Sequence, residues 1–201
     1  MNQTDEWRGS FGDEYTARNA PSDEQVAQTA LALADIWSRM TPAPRSILEV
    51  GSNVGRNIRA LRAITTADIH AVEPNEAARK VLAAETGITA EDATANELPY
   101  PNGRFDCVFT SGVLIHIPDT NLRSTYEELH RVSGRWILSI EYFSPTTQIV
   151  QYRGHDDLLF KRDYGSLWLD WFDDLEHVGN GFFWRRTTGQ DNANWWLFQK
   201  R

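Results

Sequence analysis

A short run near residue 50 constrains the fold more than any other part of this sequence. Residues 46–50, Ser-Ile-Leu-Glu-Val, are mostly apolar and predict a buried strand, and Gly51 and Gly55 bracket the turn that follows. From Arg56 onward the pattern predicts a helix. Glycine permits positive φ and close approach of the backbone to a ligand, and the N–H groups of the first helical turn face whatever is bound. The run therefore predicts a ligand cradle between a strand and a helix.

Strand and helix patterns alternate through most of the chain. The predicted strands, separated by helices, cover residues 46–50, 68–73, 88–91, 105–110 and 135–141. Beyond them we expect a helix over 158–172, then two β-prone runs, 175–184 and 194–199, joined by a polar loop that is typical of a hairpin. Alternation predicts a parallel sheet covered by helices on both faces. The expected fold is α/β, a Rossmann-like doubly wound, mostly parallel seven-stranded sheet with a C-terminal antiparallel hairpin strand.

Size and charge limit the possible classes of protein. A length of 201 residues predicts one domain, which we divide into an N-terminal segment (1–20), a core (21–145) and a C-terminal part (146–201). The net charge of −8 argues against general binding to nucleic acids or acidic membranes. The N-terminus is polar, no apolar run of about 18 residues is present, and Cys107 is the single cysteine. These features favour a cytoplasmic protein without a membrane span.

The first 20 residues carry three aromatic side chains, Trp7, Phe11 and Tyr15, without a long helical period. A disordered tail is one interpretation. Aromatic residues at this density are unusual in a solvated tail, so a lid over the ligand is the alternative.

Two acidic residues indicate which ligand the cradle holds. Glu73 ends the second predicted strand, where a carboxylate can accept hydrogen bonds from both hydroxyls of a ribose. NAD and S-adenosylmethionine, which both contain such a ribose, are therefore the two candidate ligands. Glu49 would repel a pyrophosphate but suits a positive amino group, and the chain is short for an additional substrate domain. S-adenosylmethionine is favoured, although packing of strand against helix would also explain the two glycines.

The region from Ile47 to about Glu141 resembles the class I S-adenosylmethionine-dependent methyltransferases. The matching motifs are residues 47–55 (ILEVGSNVG), 72–74 (VEP), 92–93 (DA), 98–108 (LPYPNGRFDCV) and 113–119 (VLIHIPD). The chain departs from the family pattern at Asn53, where glycine is common, and at Gly134, which stands alone where Pro-Gly-Gly is usual. Two extra residues also lie between Asp92 and Leu98.

A narrower resemblance extends over nearly the whole chain. The pattern W-x-G-x-F-G-D-x-Y-x-x-R-N at residues 7–19 and the pattern Y-R-G-H-D-D-x-L-F-K-R-D at residues 152–163 resemble the methylases associated with pseudaminic acid biosynthesis. This resemblance implies a setting in sugar biosynthesis but does not define a substrate.

The resemblance to methyltransferases implies a set of cofactor contacts along the carboxyl ends of the strands. The methionine portion would lie at the glycine turn, the ribose at Glu73 and the adenine at the 92–93 motif. The implied contacts are Tyr15, Arg18, Asn19, Glu49, Gly51, Ser52, Asn53, Gly55, Asn57, Glu73, Pro74, Asp92, Ala93, Ser111 and Gly112.

The methyl acceptor is less well defined. Candidates for proton removal are His116, Glu141 and His155, and candidates for acceptor binding are Tyr142, Tyr152, Arg153, Lys161 and Arg162. The three basic residues suit a carboxylate or phosphate; a solvated charged surface is the alternative, as is simple packing for His116. We expect transfer to a small polar, anionic metabolite of the sugar or sugar-nucleotide type.

Other functions remain open. The acceptor could be an amino acid or carboxylic acid of secondary metabolism, and a non-catalytic S-adenosylmethionine-binding protein is a further alternative. No His, Asp or Glu cluster shows metal-ligand spacing, so O- or N-methylation without a metal is predicted. The sequence does not indicate an oligomeric state.

Overall fold

The computed structural model describes residues 3–153 and 158–201. Its centre is a six-stranded sheet. The strands are β1 (Ser46–Val50), β2 (Asp68–Val72), β3 (Phe105–Ser111), β4 (Ser133–Glu141), β7 (Leu175–Phe183) and β8 (Ala193–Lys200), and they lie in the order β2-β1-β3-β4-β8-β7. The pairs among the first four strands are parallel, and the β4–β8 and β8–β7 pairs are antiparallel.

The prediction of seven strands is wrong, because the segment 88–91 does not form a strand. Its pairing consists of one bridge between Val72 and Glu91. Glu91 N–H donates to the Ala71 carbonyl at 2.9 Å, and Glu73 N–H donates to the Glu91 carbonyl at 3.1 Å. The next hydrogen bond from this segment, from Ala93 N–H back to the Glu91 carbonyl, turns the chain away from the sheet.

Helices cover both faces of the sheet. They are α3 (Asp23–Trp37), α4 (Arg56–Leu61), α5 (Glu76–Thr86), α6 (Asp119–Val132) and α7 (Tyr164–Trp171), with a short α8 (Arg185–Thr188) in the β7–β8 connection. Ser22 and Gln25 form a reciprocal capping box at the start of α3. Two buried apolar clusters lie on opposite faces of the sheet.

The helix predicted over 158–172 is shorter than expected. Phe160 and Lys161 form β6, which pairs with β5 (Gln148–Ile149) in a separate two-stranded sheet. The Asp163 side chain then caps α7 by accepting a hydrogen bond from Ser166 N–H at 3.0 Å. Pairing of Phe160 and Lys161 with β5 therefore replaces the first turns of the predicted helix.

The N-terminal segment forms two helices, α1 (Gln3–Arg8) and α2 (Ser10–Arg18). Their aromatic side chains pack together: the rings of Phe11 and Tyr15 lie 5.1 and 5.3 Å from the Trp7 ring, both edge-on. In the part of the chain that the structure describes, no helix is long and apolar enough to cross a membrane.

Candidate functional site

A cavity of about 560 Å³ lies at the carboxyl ends of the parallel strands, a size typical of small-molecule sites. The helix α2 contributes to its wall together with the turns that follow β1, β2 and β3. Most of the predicted site residues line this cavity: Tyr15, Arg18, Asn19, Glu49, Gly51, Ser52, Asn53, Asn57, Glu73, Pro74, Ala93, Ser111, Gly112, His116, Tyr142, Tyr152 and Arg153.

The turn after β1 requires its glycines. Gly51 and Gly55 have φ of 74° and 82°, and a Cβ atom on Gly51 would lie 2.5 Å from a methyl carbon of Val113. Asn53, which stands at the usual glycine position, also has positive φ at 45°, a conformation that asparagine tolerates better than most residues. Gly55 is buried and does not line the cavity. Its place is at the start of α4, where a Cβ atom would lie 3.0 Å from Thr86.

Glu49 places a buried carboxyl group at the end of β1. Asn57 Nδ2 donates to its Oε1 at 2.6 Å, whereas Oε2 is buried without a hydrogen-bond partner. Burial raises the pKa of Glu49 to about 8, although the Asn57 amide favours the charged form. An orphaned carboxyl oxygen in a cavity wall can accept a hydrogen bond from a cationic donor.

Glu73 lies beyond the end of β2, and backbone donors hold both of its oxygens. Asn53 N–H donates to Oε2 at 2.8 Å, and Asn75 N–H donates to Oε1 at 2.9 Å. Burial raises the pKa of Glu73, and these two N–H groups oppose that shift. Each carboxylate oxygen keeps a second lone pair, so the group can still accept from the two hydroxyls of a diol.

Asp92 does not line the cavity, unlike its neighbour Ala93. The Asp92 carboxylate lies at the surface between two arginines, with Arg8 Nη1 at 2.5 Å and Arg79 Nη2 at 3.1 Å. These ion pairs explain why this side chain faces outward, and they connect α1 to the segment after β2.

His116 reaches the cavity as part of an aromatic stack. Its ring lies 4.6 Å from the Trp7 ring and 5.7 Å from the Tyr152 ring, and Nδ1 donates to the Leu158 carbonyl at 2.5 Å. Burial lowers the pKa of His116 to about 4. The imidazole is therefore neutral near pH 7, with its lone pair on Nε2, and is a weak proton acceptor.

Glu141 does not line the cavity and is fully buried. Its two oxygens accept hydrogen bonds from Val113 N–H and Ile115 N–H, each at 3.3 Å. Burial raises its pKa to about 7. The prediction of a catalytic Glu141 is therefore not supported, because the carboxyl group faces the backbone of the turn after β3.

The predicted basic cluster is not assembled. Arg162 is buried and binds the Ile117 carbonyl at 3.1 Å and the Asp119 carboxylate at 2.7 Å. Lys161 lines a second, smaller cavity, so only Arg153 faces the main one. His155 lies outside the described residues. Lys161 ends β6 and Arg162 follows it in an isolated bridge with Phe143, so the side chains of these two successive residues point to opposite sides.

Asn75 is a site residue that the sequence analysis missed. Its Nδ2 donates to the Trp7 carbonyl at 3.1 Å and to Asp13 Oδ1 at 2.9 Å, while its Oδ1 caps α5 through Ala78 N–H. The side chain thus joins the N-terminal helices to the turn that holds Glu73. Its position directly before a helix was the available signal, but it indicated only a cap.

Four further polar residues of the cavity wall were also missed: Thr29, Arg56, Gln190 and Asp191. Asp191 accepts a hydrogen bond from the Tyr142 hydroxyl at 3.2 Å. Arg56 directly follows the second glycine, which was a usable signal. The other three lie far from the recognised motifs in sequence and meet the site only through folding.

Comparisons with known proteins identify the fold that carries this cavity. Residues 47–134 match a family model described as a methyltransferase domain. The solved structure of a Burkholderia thailandensis 1,6-didemethyltoxoflavin N1-methyltransferase, with bound 1,6-didemethyltoxoflavin and S-adenosylhomocysteine, superposes with a TM-score of 0.73 at 17% identity, covering 96% of this chain and 86% of that one. The fold is that of a class I methyltransferase.

Two other solved structures share this methyltransferase fold. Magnesium protoporphyrin IX methyltransferase from Synechocystis PCC 6803 with bound S-adenosylmethionine gives a TM-score of 0.72 at 12% identity, covering 100% of this chain and 98% of that one. A putative methyltransferase in complex with a methyltransferase activator from Haloferax volcanii gives 0.69 at 14% identity, covering 99% and 97%. No curated protein matches the sequence at significant similarity.

Proposed function

We propose that this protein is an S-adenosylmethionine-dependent methyltransferase acting on a small polar metabolite. The observation that carries the proposal is the pair of buried carboxyl groups, Glu49 and Glu73, on either side of the glycine turn in one cavity. Carboxylate oxygens accept hydrogen bonds, and an ammonium group and a ribose diol supply the matching donors. The methyltransferase-domain match over 47–134 and the bound cofactors of the structural relatives support it.

The donor set fits this cofactor better than NAD. The orphaned Oε2 of Glu49 needs a hydrogen-bond donor, which the α-ammonium of S-adenosylmethionine supplies and a pyrophosphate does not. When bound, the cofactor supplies a methyl group already activated by a sulfonium centre. Residues of this chain would bind it, exclude water through α1 and α2, and orient the acceptor.

The acceptor would lie against the part of the cavity formed by Tyr15, Tyr142 and Tyr152. Arg153 is the basic residue that still supports an anionic acceptor, and a sugar or sugar nucleotide is the first class to test. Transfer without a metal also stays a prediction; within the described ranges no group of three His, Cys, Asp or Glu side chains could hold an ion. Membership of the pseudaminic acid-associated methylases, small-molecule biosynthesis and a cytoplasmic location are likewise part of the proposal.

The proposed function is tested with cofactor carrying a labelled methyl group. The purified protein is incubated with that cofactor and with fractionated pools of small metabolites, and labelled products are separated from unreacted cofactor. We expect label to enter an acceptor in the polar anionic fraction. Cofactor binding without transfer to any pool would instead indicate a non-catalytic binding protein.

A matched pair of variants controls the assay. Glu73→Gln removes the carboxylate assigned to the ribose, and we expect it to reduce transfer by at least tenfold, the order of one lost charge-assisted interaction. Glu76→Gln changes an exposed carboxylate three residues later, which pairs with Lys80, and should leave transfer unchanged. Equal rates in both variants would contradict the assigned site.

A further inference from the structure

Arg56 is held rigidly in the cavity wall by neutral partners. Its Nε donates to Thr29 Oγ1 at 2.9 Å, and its Nη2 donates to Gln190 Oε1 at 3.2 Å. Gln190 Nε2 donates to the same Thr29 oxygen at 3.0 Å, which closes a triangle between α3, α4 and the β7–β8 connection. Thr29 is itself buried and donates to the Gln25 carbonyl. The guanidinium is therefore fixed in direction before any ligand binds.

This guanidinium forms no close ion pair with a carboxylate of residues 6–153 or 158–201. Three other shielded arginines form an ion pair: Arg59 pairs with Asp23, Arg79 with Asp92, and Arg162 with Asp119. No carboxylate lies within 4 Å of Arg56 in residues 6–153 and 158–201; burial lowers its pKa, and the more distant charge of Asp191 in the same cavity opposes that shift. A half-buried positive charge without a close ion pair is stabilised when a ligand supplies the anion.

A carboxyl group without a full set of partners lies on the other side of the same turn. Glu49 lies at the end of β1 and Arg56 at the start of α4, with the glycine turn between them. Both line the cavity, and Oε2 of Glu49 is buried without a partner. One unpaired carboxyl oxygen and one unpaired guanidinium together match a zwitterion that carries an ammonium and a carboxylate.

We propose that Arg56, braced by Thr29 and Gln190, binds the α-carboxylate of the cofactor's methionine portion. The inference rests on the proposed function and adds a binding residue and two positioning residues to it. Arg18, to which the sequence resemblance pointed, is a weaker candidate for this role. Its side chain is exposed at 39% and has Glu14 at 3.4 Å.

Two adenosine ligands separate this role from a general effect on the site. S-adenosylhomocysteine carries the amino-acid group, whereas 5′-methylthioadenosine has the adenosine and thioether without it. Both are titrated calorimetrically into the wild-type protein and into Arg56→Gln. We expect Arg56→Gln to weaken the binding of S-adenosylhomocysteine by about 10- to 150-fold, which is the range for a lost hydrogen bond between charged groups. The affinity for 5′-methylthioadenosine should change by less than about twofold.

The dissociation constant of 5′-methylthioadenosine divided by that of S-adenosylhomocysteine is measured within each variant. A partial loss of folded protein does not affect this ratio. Arg59→Gln is the matched control, because Arg59 lies one turn along α4 and pairs with Asp23 at 2.7 Å. Its ratio should equal that of the wild type. Arg18→Gln should also leave the ratio nearly unchanged.

The brace is tested by Thr29→Val and Gln190→Leu. Each keeps the positive charge but removes a hydrogen bond that directs it, so we expect the ratio to fall by about two- to tenfold. If Thr29 and Gln190 had a purely structural role, their replacement would weaken the binding of both ligands equally and leave the ratio constant.

The outcomes are distinct. An unchanged ratio in Arg56→Gln, while the wild type binds S-adenosylhomocysteine, overturns this inference and leaves the proposed function standing. A larger effect of Arg18→Gln than of Arg56→Gln also overturns it. A wild-type protein that binds neither ligand refutes the proposed function and this inference with it.

Discussion

At the residue scale, the buried carboxyl groups depend most strongly on the environment that folding creates. Glu49 lies near the end of β1 and Glu141 at the end of β4, with β3 between the two strands. One lines the cavity, and the other faces the backbone N–H groups of the turn after β3. The sequence predicts that both are strand ends. It does not predict which way each side chain turns, because this depends on Val113 and Ile115 coming within 3.3 Å of Glu141.

Ligand affinity should depend on pH through Glu49. Its pKa is raised to about 8 by burial, so the free site is mostly protonated at pH 6, whereas a bound ammonium favours the ionised form. Binding of S-adenosylhomocysteine then releases a proton, and affinity should rise by up to about tenfold per pH unit toward pH 8. Calorimetry in buffers of different ionisation enthalpy measures the release. Glu49→Gln should remove the slope, and 5′-methylthioadenosine should lack it; a slope that persists in both would contradict the assignment.

Glu141 should affect stability more than ligand binding. Its folded-state pKa of about 7 lies above the ordinary value of 4.5, so its contribution to stability is complete below pH 4.5 and declines as pH rises through 7. We expect Glu141→Gln to unfold more easily at pH 5 by about 1–3 kcal/mol, because its amide N–H₂ group would face backbone donors. Its stability should also vary less between pH 5 and 7, as measured by urea unfolding. Normal stability with a complete loss of transfer would favour the catalytic role instead.

At the element scale, the N-terminal segment that we propose as a lid was the least predictable feature. The three aromatic residues indicated that the segment packs, but not that it forms two helices. Gly12 shows why: a Cβ atom there would lie 2.0 Å from the Trp7 carbonyl and 2.7 Å from Asn75 Nδ2. The contact joins residues 63 positions apart, so a local pattern does not contain it. The missing strand at 88–91 has a similar explanation, since its two sheet hydrogen bonds come from the tertiary position of Glu91.

The Asn75 side chain should control how the lid docks. Asn75→Ser keeps an N-cap oxygen for α5 but loses the two donors to Trp7 and Asp13. We expect faster proteolysis within residues 1–20 and several-fold weaker binding of S-adenosylhomocysteine, with the melting temperature reduced by only a few degrees. Proteolysis at the wild-type rate would show that other contacts, such as Arg8 with Asp92, hold the lid.

Removal of the whole segment is the stronger test. A protein that lacks residues 1–20 should keep its folded core, because both apolar clusters lie within residues 30–198. It should lose methyl transfer, since water would reach the site. Circular dichroism checks the fold and the labelled-cofactor assay checks activity. Transfer at the wild-type rate would refute the lid.

At the scale of the whole molecule, the order of strands and helices from residue 46 to 141 follows from the sequence, except at the segment 88–91. Apolar runs, glycines and acidic residues at strand ends repeat there at regular spacing, and these are local features. The C-terminal part was less predictable because its contacts are distant. Arg162 reaches Asp119, and Gln190 reaches Thr29, across 43 and 161 positions. The acceptor site draws on these distant contacts, whereas the cofactor cradle is mostly local, which explains why the cradle was better predicted.

The most direct test of the central claim is a calorimetric titration of the wild-type protein with S-adenosylhomocysteine, compared with NAD under the same conditions. We expect one site per chain with a dissociation constant of about 1–100 μM for S-adenosylhomocysteine, and much weaker or undetectable binding of NAD. Tighter binding of NAD, or no heat of binding from S-adenosylhomocysteine, would contradict the account.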